Sequence, residues 1–199
     1  EDYLFTIEEV PPNLTKNLEF YKSALNYIID INIQGRFFVE EFTSILLRKI
    51  LTPFTTGFVD LQSPSGIINS VIVYNYDGYV YASDESRMLA EYNDNTFKLG
   101  HVTDKYESIF YGRKAQQIAL IWGTEFIAGC ADCAFQSYCG ADPVRNYSAQ
   151  NDMYGFRPTS SLCKKHKAII TYIFYLIQNE YDRVMPIFKQ WINRNENEF

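Results

Sequence analysis

The sequence predicts an α+β fold, on three observations. Apolar residues recur at helical spacing near both ends of the chain, a short alternating stretch surrounds an Asp-Gly step in the middle, and four cysteines follow in a turn-rich segment. At 199 residues, with 47% hydrophobic and 21% charged side chains, the chain can bury a sizeable core without depending on metal alone.

The elements follow in order. Tyr3-Leu4-Phe5-Thr6-Ile7 reads as a short strand, ended by Glu8-Glu9 and the breaker Pro11-Pro12-Asn13. Leu18, Tyr21, Leu25, Ile28 and Ile29 then predict a helix that Gly35 terminates. A second helix is expected over Phe38 to Ile50, with Phe42, Ile45 and Leu46 on one face and Pro53 beyond its end as a stop. One strand and two helices read as the tail of a larger α/β unit, since alone they lack strands to pair with.

Between Ile67 and Ala82, Val71 and Val73, then Tyr79 and Tyr81, alternate around Tyr76-Asp77-Gly78, which predicts a β-hairpin. Asp84 to Leu89 starts with a capping residue and makes a short helical turn. Phe97 to Val102 is a brief extended piece, and a third helix is expected from Asp104 to Phe126, broken or bent near Gly112. The stretch that follows, with Gly129, Gly140, Asp142, Pro143, Asn146, Asn151, Asp152, Gly155 and Pro158, leaves little room for regular structure and reads as a loop ordered by metal. The last long helix starts at Cys163 and buries Ile169, Ile170, Ile173, Leu176 and Ile177, and the end, Arg194 to Phe199, frays.

Composition excludes several classes of function. A net charge of −6 and a pI near 5.0 supply no basic field for phosphate backbones, so nucleic acid is not an expected partner. The longest apolar stretch, Ala168 to Ile177, is half of the roughly 20 residues a bilayer-spanning helix needs, so no membrane span is expected. The chain opens Glu1-Asp2-Tyr3, without initiator methionine or signal-peptide regions, which reads as a fragment or a processed product.

Cys130, Cys133, Cys139 and Cys163 are the only cysteines, in the order C-x2-C-x5-C-x23-C. Three soft thiolates within ten residues and a fourth at a helix start can close a tetrahedral sulfur shell. A chain of this size is no small secreted scaffold needing staples, which favours chelation over disulfides. Spacing alone does not choose the metal. The missing second C-x2-C knuckle tilts the reading from structural zinc toward iron-sulfur, and a four-cysteine zinc module for protein interactions is the alternative.

Gly129-Cys130-Ala131-Asp132-Cys133-Ala134-Phe135-Gln136-Ser137-Tyr138-Cys139-Gly140, with Cys163 following, resembles the SPASM domain that ends many radical S-adenosylmethionine peptide-modifying enzymes. Tyr76-Asp77-Gly78-Tyr79-Val80-Tyr81 is similar to that domain's opening hairpin, and Lys98-Leu99-Gly100-His101-Val102 to its short segment before a helix. The variant from Cys139 to Tyr147, with Arg157-Pro158-Thr159-Ser160, most resembles the maturase of the His-Xaa-Ser peptide system.

The resemblance implies two regions, residues 1–60 as the last strand and helices of a partial α/β barrel and residues 61–199 as a SPASM-like domain with C-terminal helices. It also implies one [4Fe-4S] cluster on Cys130, Cys133, Cys139 and Cys163. The second cluster of complete SPASM domains uses cysteines where this chain has Ser63 or Ser65, Ser83 and Pro143, none a competent soft ligand. No C-x3-C-x2-C motif is present, so no catalytic residue is assigned, and S-adenosylmethionine belongs to the full-length enzyme. Implied partners are a ribosomally made precursor peptide, a redox partner and a partner maturase, in the cytoplasm.

Among the remaining residues, His101 and His166 pair with no carboxylate or cysteine at ligand spacing and read as hydrogen-bonded or solvated. Arg145 and Arg157 flank the cysteine segment, where a guanidinium can offset cluster charge, contact a peptide carboxylate or make surface salt bridges. Asp142 adjoins the vacated ligand position and reads as a turn cap rather than an iron ligand. The 16 tyrosines suit strand packing, or the wall of a peptide groove.

Overall fold

The computed structural model describes residues 12–54, 56–58, 61–121 and 123–193. The expected strand over Tyr3–Ile7 and the frayed end from Arg194 lie outside the described residues. What is described is a helix-rich α+β chain with one small antiparallel sheet of three strands. Two compact units divide it, one of residues 1–56 with 161–199 and the other of residues 57–160.

The first unit packs four helices, α1 (Pro12–Ile33), α2 (Glu41–Leu51), α7 (Ser161–Asn179) and α8 (Tyr181–Asn193). The α1 helix starts on a proline, whose missing N–H is an orphan at that position anyway. It gives out before Gly35, which takes φ +85° as a C-terminal glycine should. The α1 helix packs on α7, α2 on α8, and α7 on α8, around Leu25, Ile29, Leu46, Leu47, Ile170, Ile173, Leu176, Phe188 and Trp191, all buried. Each such aliphatic side chain contributes about 1.5–3 kcal/mol by leaving water.

The second helix starts three residues later than expected. The Glu40 carboxylate accepts from the Thr43 backbone N–H at 2.7 Å and fixes the start there, leaving Phe37 and Phe38 exposed. Its buried residues are Thr43, Ser44, Leu46 and Leu47, with Phe42 and Ile45 half-buried, and the Ser44 hydroxyl donates to the Trp191 carbonyl at 3.2 Å. After Asn179 the chain makes a further helix, α8, with Val184, Met185, Ile187, Phe188 and Trp191 buried.

The second unit is built on the hairpin. Strands β1 (Val73–Tyr74) and β2 (Tyr79–Tyr81) pair antiparallel with Val73 opposite Tyr81, and β3 (Lys98–His101) adds to the other edge of β2. The Gly78 N–H donates to the Asn75 carbonyl at 3.0 Å, Gly78 has φ +83°, and the Asp77 carboxylate accepts from the Tyr79 N–H at 3.0 Å. Gly78 alone takes the left-handed conformation in this turn, so the hairpin closes as a turn plus a glycine bulge.

Helix α3 (Asp84–Glu91) follows the hairpin, and the expected third helix is in two pieces, α4 (Tyr106–Phe110) and α5 (Arg113–Ala119), with a 3-10 turn over Thr124–Phe126. Gly112 makes the break, since a Cβ there would lie 2.1 Å from the Ser108 carbonyl oxygen. The cysteine segment is more regular than expected. It holds 3-10 turns at Gln136–Tyr138 and Arg157–Thr159 and a two-turn helix, α6 (Pro143–Gln150), because Asp142 caps the backbone there and Pro143 sits at the first helical position. Ile67, Ala82, Phe97, Ile118 and Val144 form the core of this unit.

The resemblance implies two regions, 1–60 and 61–199, whereas the compact units divide the chain differently. By packing, residues 161–199 go with α1 and α2. No strand lies among the described residues of 12–56.

Candidate thiolate centre

Three of the four cysteines are carried on successive turns of one backbone ladder. The Cys133 N–H donates to the Cys130 carbonyl at 3.0 Å, Gln136 N–H to the Cys133 carbonyl at 2.9 Å, and Cys139 N–H to the Gln136 carbonyl at 3.2 Å. Cys130 is itself tied to Ile127 by a 3.0 Å backbone bond and packs with Ile127 and Ala141 in a small apolar cluster. Cys133 and Cys139 are half-buried, and the Cys139 thiol donates to the Gly140 carbonyl at 3.6 Å.

Cys163, in the other unit, is the third residue of α7, the helix start expected for it. None of the four cysteines is in a disulfide. Among the described residues no group of three or more His, Cys, Asp or Glu side chains is gathered so as to hold a metal ion.

The residue that marks the segment chemically is Arg157. Its side chain is 1% exposed. One terminal nitrogen, Nη2, donates to the Gly140 carbonyl at 2.9 Å and lies 3.6 Å from the Cys139 sulfur. The other two nitrogens, Nε and Nη1, are buried and have no hydrogen-bond partner among the described residues. A guanidinium stays protonated, so this is a buried cation with a sulfur beside it. The donor chemistry of the second unit is three soft thiols, with an under-satisfied cation beside one of them.

The places where a second ligand set would fall are built into the fold. Ser63 Oγ accepts from the Thr124 N–H at 2.9 Å and bonds the Glu125 carboxylate at 2.9 Å. Ser65 is buried and bonded to the Ile67 N–H at 3.4 Å, Ser83 caps α3, and Pro143 opens α6.

The other singled-out residues separate clearly. Arg145 is exposed on α6 and Asp142 is its helix cap. His166 is buried on α7 with its ring 6.0 Å from that of Phe42, and His101 bonds Thr103 at 2.8 Å and meets Tyr79 edge-on. Sequence reasoning placed Arg157 beside the cysteines but left its burial open. The apolar cluster around Cys130 was missed, and its only signal was Ile127 three residues before the cysteine.

Fold and site together define a helix-rich α+β chain with a cysteine-bearing lobe next to a three-stranded sheet. No protein-family model matches the sequence, and no curated protein does. Among solved structures, the one described as a hexahistidine-tagged anSMEcpe with bound AdoMet matches with a TM-score of 0.60 and 17% identity, over 92% of this chain and 45% of that one. The two share a fold, and this chain spans less than half the length of that protein. No described helix is long and apolar enough to cross a membrane.

Proposed function

We propose that this chain is the auxiliary-cluster region of a radical S-adenosylmethionine enzyme that modifies a ribosomally made peptide, most like the His-Xaa-Ser maturase. The carrying observation is the complete outer cysteine set of the SPASM pattern with a buried cation, Arg157, set against Cys139. The likeness of fold to an AdoMet-bound protein supports the same reading.

On this reading Cys130, Cys133, Cys139 and Cys163 hold one [4Fe-4S] cluster, which when bound supplies one-electron chemistry and loop order but no open iron for substrate. Cys130 is held in its apolar setting, while Cys133 and Cys139 are positioned by the ladder of backbone turns. Ser63, Ser65, Ser83 and Pro143 are occupied with caps and turns, which supports one cluster rather than two. Residues 1–60 are then the end of the partial barrel and 61–199 the SPASM-like region. With no C-x3-C-x2-C motif these 199 residues are not catalytic alone, and the peptide, redox and maturase partners belong to the whole enzyme in the cytoplasm.

Anaerobic reconstitution with iron and sulfide tests the reading. The expected result is about four iron and four sulfide per chain with thiolate-to-iron absorbance, abolished by Cys→Ala changes at the four positions. A colourless protein that takes up one zinc and no sulfide overturns it in favour of a structural zinc module.

A further inference from the structure

A cavity of about 330 Å³ lies in the first unit, among α1, the start of α2 and α7. That is the small end of the roughly 300–1,000 Å³ over which ligand pockets fall, so it suits one small molecule. Leu18, Phe42 and Ile169 give it an apolar lining, and Phe20, which lines it too, is 75% exposed and leaves apolar area for a ligand to cover. Glu40 and Lys165 bring opposite charges to the same cavity. Neither is in an ion pair among the described residues.

A directed chain of hydrogen bonds holds the carboxylate. Glu40 Oε2 accepts from the Thr43 N–H at 2.7 Å and from the Thr43 hydroxyl. With its one hydrogen committed there, the Thr43 oxygen accepts from the Tyr21 hydroxyl at 2.6 Å. Burial pushes the Tyr21 phenol up, which keeps it a neutral donor. All three bonds go to one side of Glu40, and its other oxygen, Oε1, has no hydrogen bond among the described residues. The Lys165 ammonium lies 5.4 Å from the centre of the Phe42 ring and has no hydrogen bond among the described residues either.

We propose that this cavity binds a free α-amino acid with a large apolar side chain, its ammonium donating to Glu40 and its carboxylate meeting Lys165. Charge complementarity selects this occupant. An apolar residue inside a peptide brings neither charge and one at a chain end brings only one, whereas the free amino acid carries both on the carbon that bears the apolar group. Glu40 is the fixed half of the site, because Thr43 and Tyr21 hold it, and Lys165 on its flexible four-carbon stem is the adaptable half. The site uses no cysteine and is independent of any metal.

The test is calorimetric titration of the full chain with L-phenylalanine and L-leucine, against phenethylamine, which lacks the carboxylate, 3-phenylpropionate, which lacks the ammonium, and N-acetylphenylalanine amide, which lacks both charges. L-phenylalanine is expected to bind about tenfold more tightly than either singly charged analogue. Lys165→Met, at an exposed position, is expected to weaken L-phenylalanine about tenfold and leave phenethylamine unchanged. Glu40→Gln, which keeps an acceptor for Thr43, is expected to weaken L-phenylalanine and phenethylamine alike and leave 3-phenylpropionate unchanged. Should Glu40→Gln fail to fold, Lys165→Met decides alone. No binding of either amino acid at about 10 mM overturns the proposal. So does a Lys165→Met protein that binds L-phenylalanine as wild type does, and so does N-acetylphenylalanine amide binding as tightly as L-phenylalanine, which would make the cavity a groove for peptide side chains.

Discussion

Ser83 and Ser86 exchange hydrogen bonds across the first turn of α3, the Ser86 N–H donating to Ser83 Oγ at 3.2 Å and the Ser83 N–H to Ser86 Oγ at 2.9 Å. Both residues are 1% exposed, so neither backbone donor has water as a substitute. Ser83→Ala is expected to cost about 1 kcal/mol of stability, read as a lower urea midpoint at unchanged slope. Ser83→Cys puts a thiol at the cap position and weakens the cap, and is expected to lower the midpoint; on the proposed one-cluster reading it adds no iron to the reconstituted protein, since Ser63 and Pro143 remain.

Gly129 precedes the first cysteine with φ +75° and an ideal Cβ 2.5 Å from Pro158 Cγ. Gly129→Ala is strained by its backbone conformation and by that contact together, and a left-handed non-glycine residue costs about 1–3 kcal/mol. The expected outcome is a lower thermal midpoint and, on the proposed cluster reading, faster loss of iron from the reconstituted protein to a chelator. A variant equal to wild type in both would mean the turn relaxes freely and does not tie Cys130 to the Arg157 segment.

These two positions show what the sequence carried and what it did not. The hairpin was legible because Gly78 supplies a conformation few residues adopt and the flanking tyrosines alternate. Helix α1 was legible from Leu25 and Ile29, which the four-helix unit does bury completely. Helix α6 was not, because Asn146, Asn151 and Gly155 argue for loop, while the decisive Asp142-Pro143 start is only two residues long. The burial of Ser44 on α2 was not legible, because it bonds a carbonyl 147 residues away, which no local pattern encodes. Arg157 lies at the same limit: its position beside the cysteines is a matter of sequence, but its burial depends on the fold around it.

Asp94 gives a pH dependence of known sign. Hydrogen bonding to Thr96, whose backbone N–H donates at 2.9 Å, with lesser help from Tyr147 and Lys114, holds its carboxyl below the ordinary value of 3.8. A depressed carboxyl stabilises the fold above its unfolded value and loses that contribution as pH falls through the folded one. Wild type is therefore expected to lose stability relative to Asp94→Asn as the pH falls from about 5 through the folded value, which lies below 3.8. Parallel urea midpoints over that range would remove Asp94 from the account.

Asp142 separates a structural role from a ligating one beside the cysteines. Its Oδ1 accepts from the Val144 N–H at 3.0 Å and the Arg145 N–H at 3.1 Å, and the preceding Ala141 N–H is tied to the Gln62 carbonyl at 3.0 Å. This cap therefore sets where the chain leaves Cys139 and Gly140, the two residues Arg157 contacts. Asp142→Ala is expected to cost about 0.5–2 kcal/mol and to speed amide exchange at Val144 and Arg145, while Asp142→Asn, which keeps an acceptor oxygen, stays within a few tenths of wild type. An iron-bound carboxylate behaves differently, because an amide oxygen is a poor substitute for it and Asn then costs metal rather than helix. Equal iron content in wild type and Asp142→Asn, with exchange accelerated only in Asp142→Ala, is the outcome the cap predicts, and iron loss in Asp142→Asn would move this residue into the ligand shell.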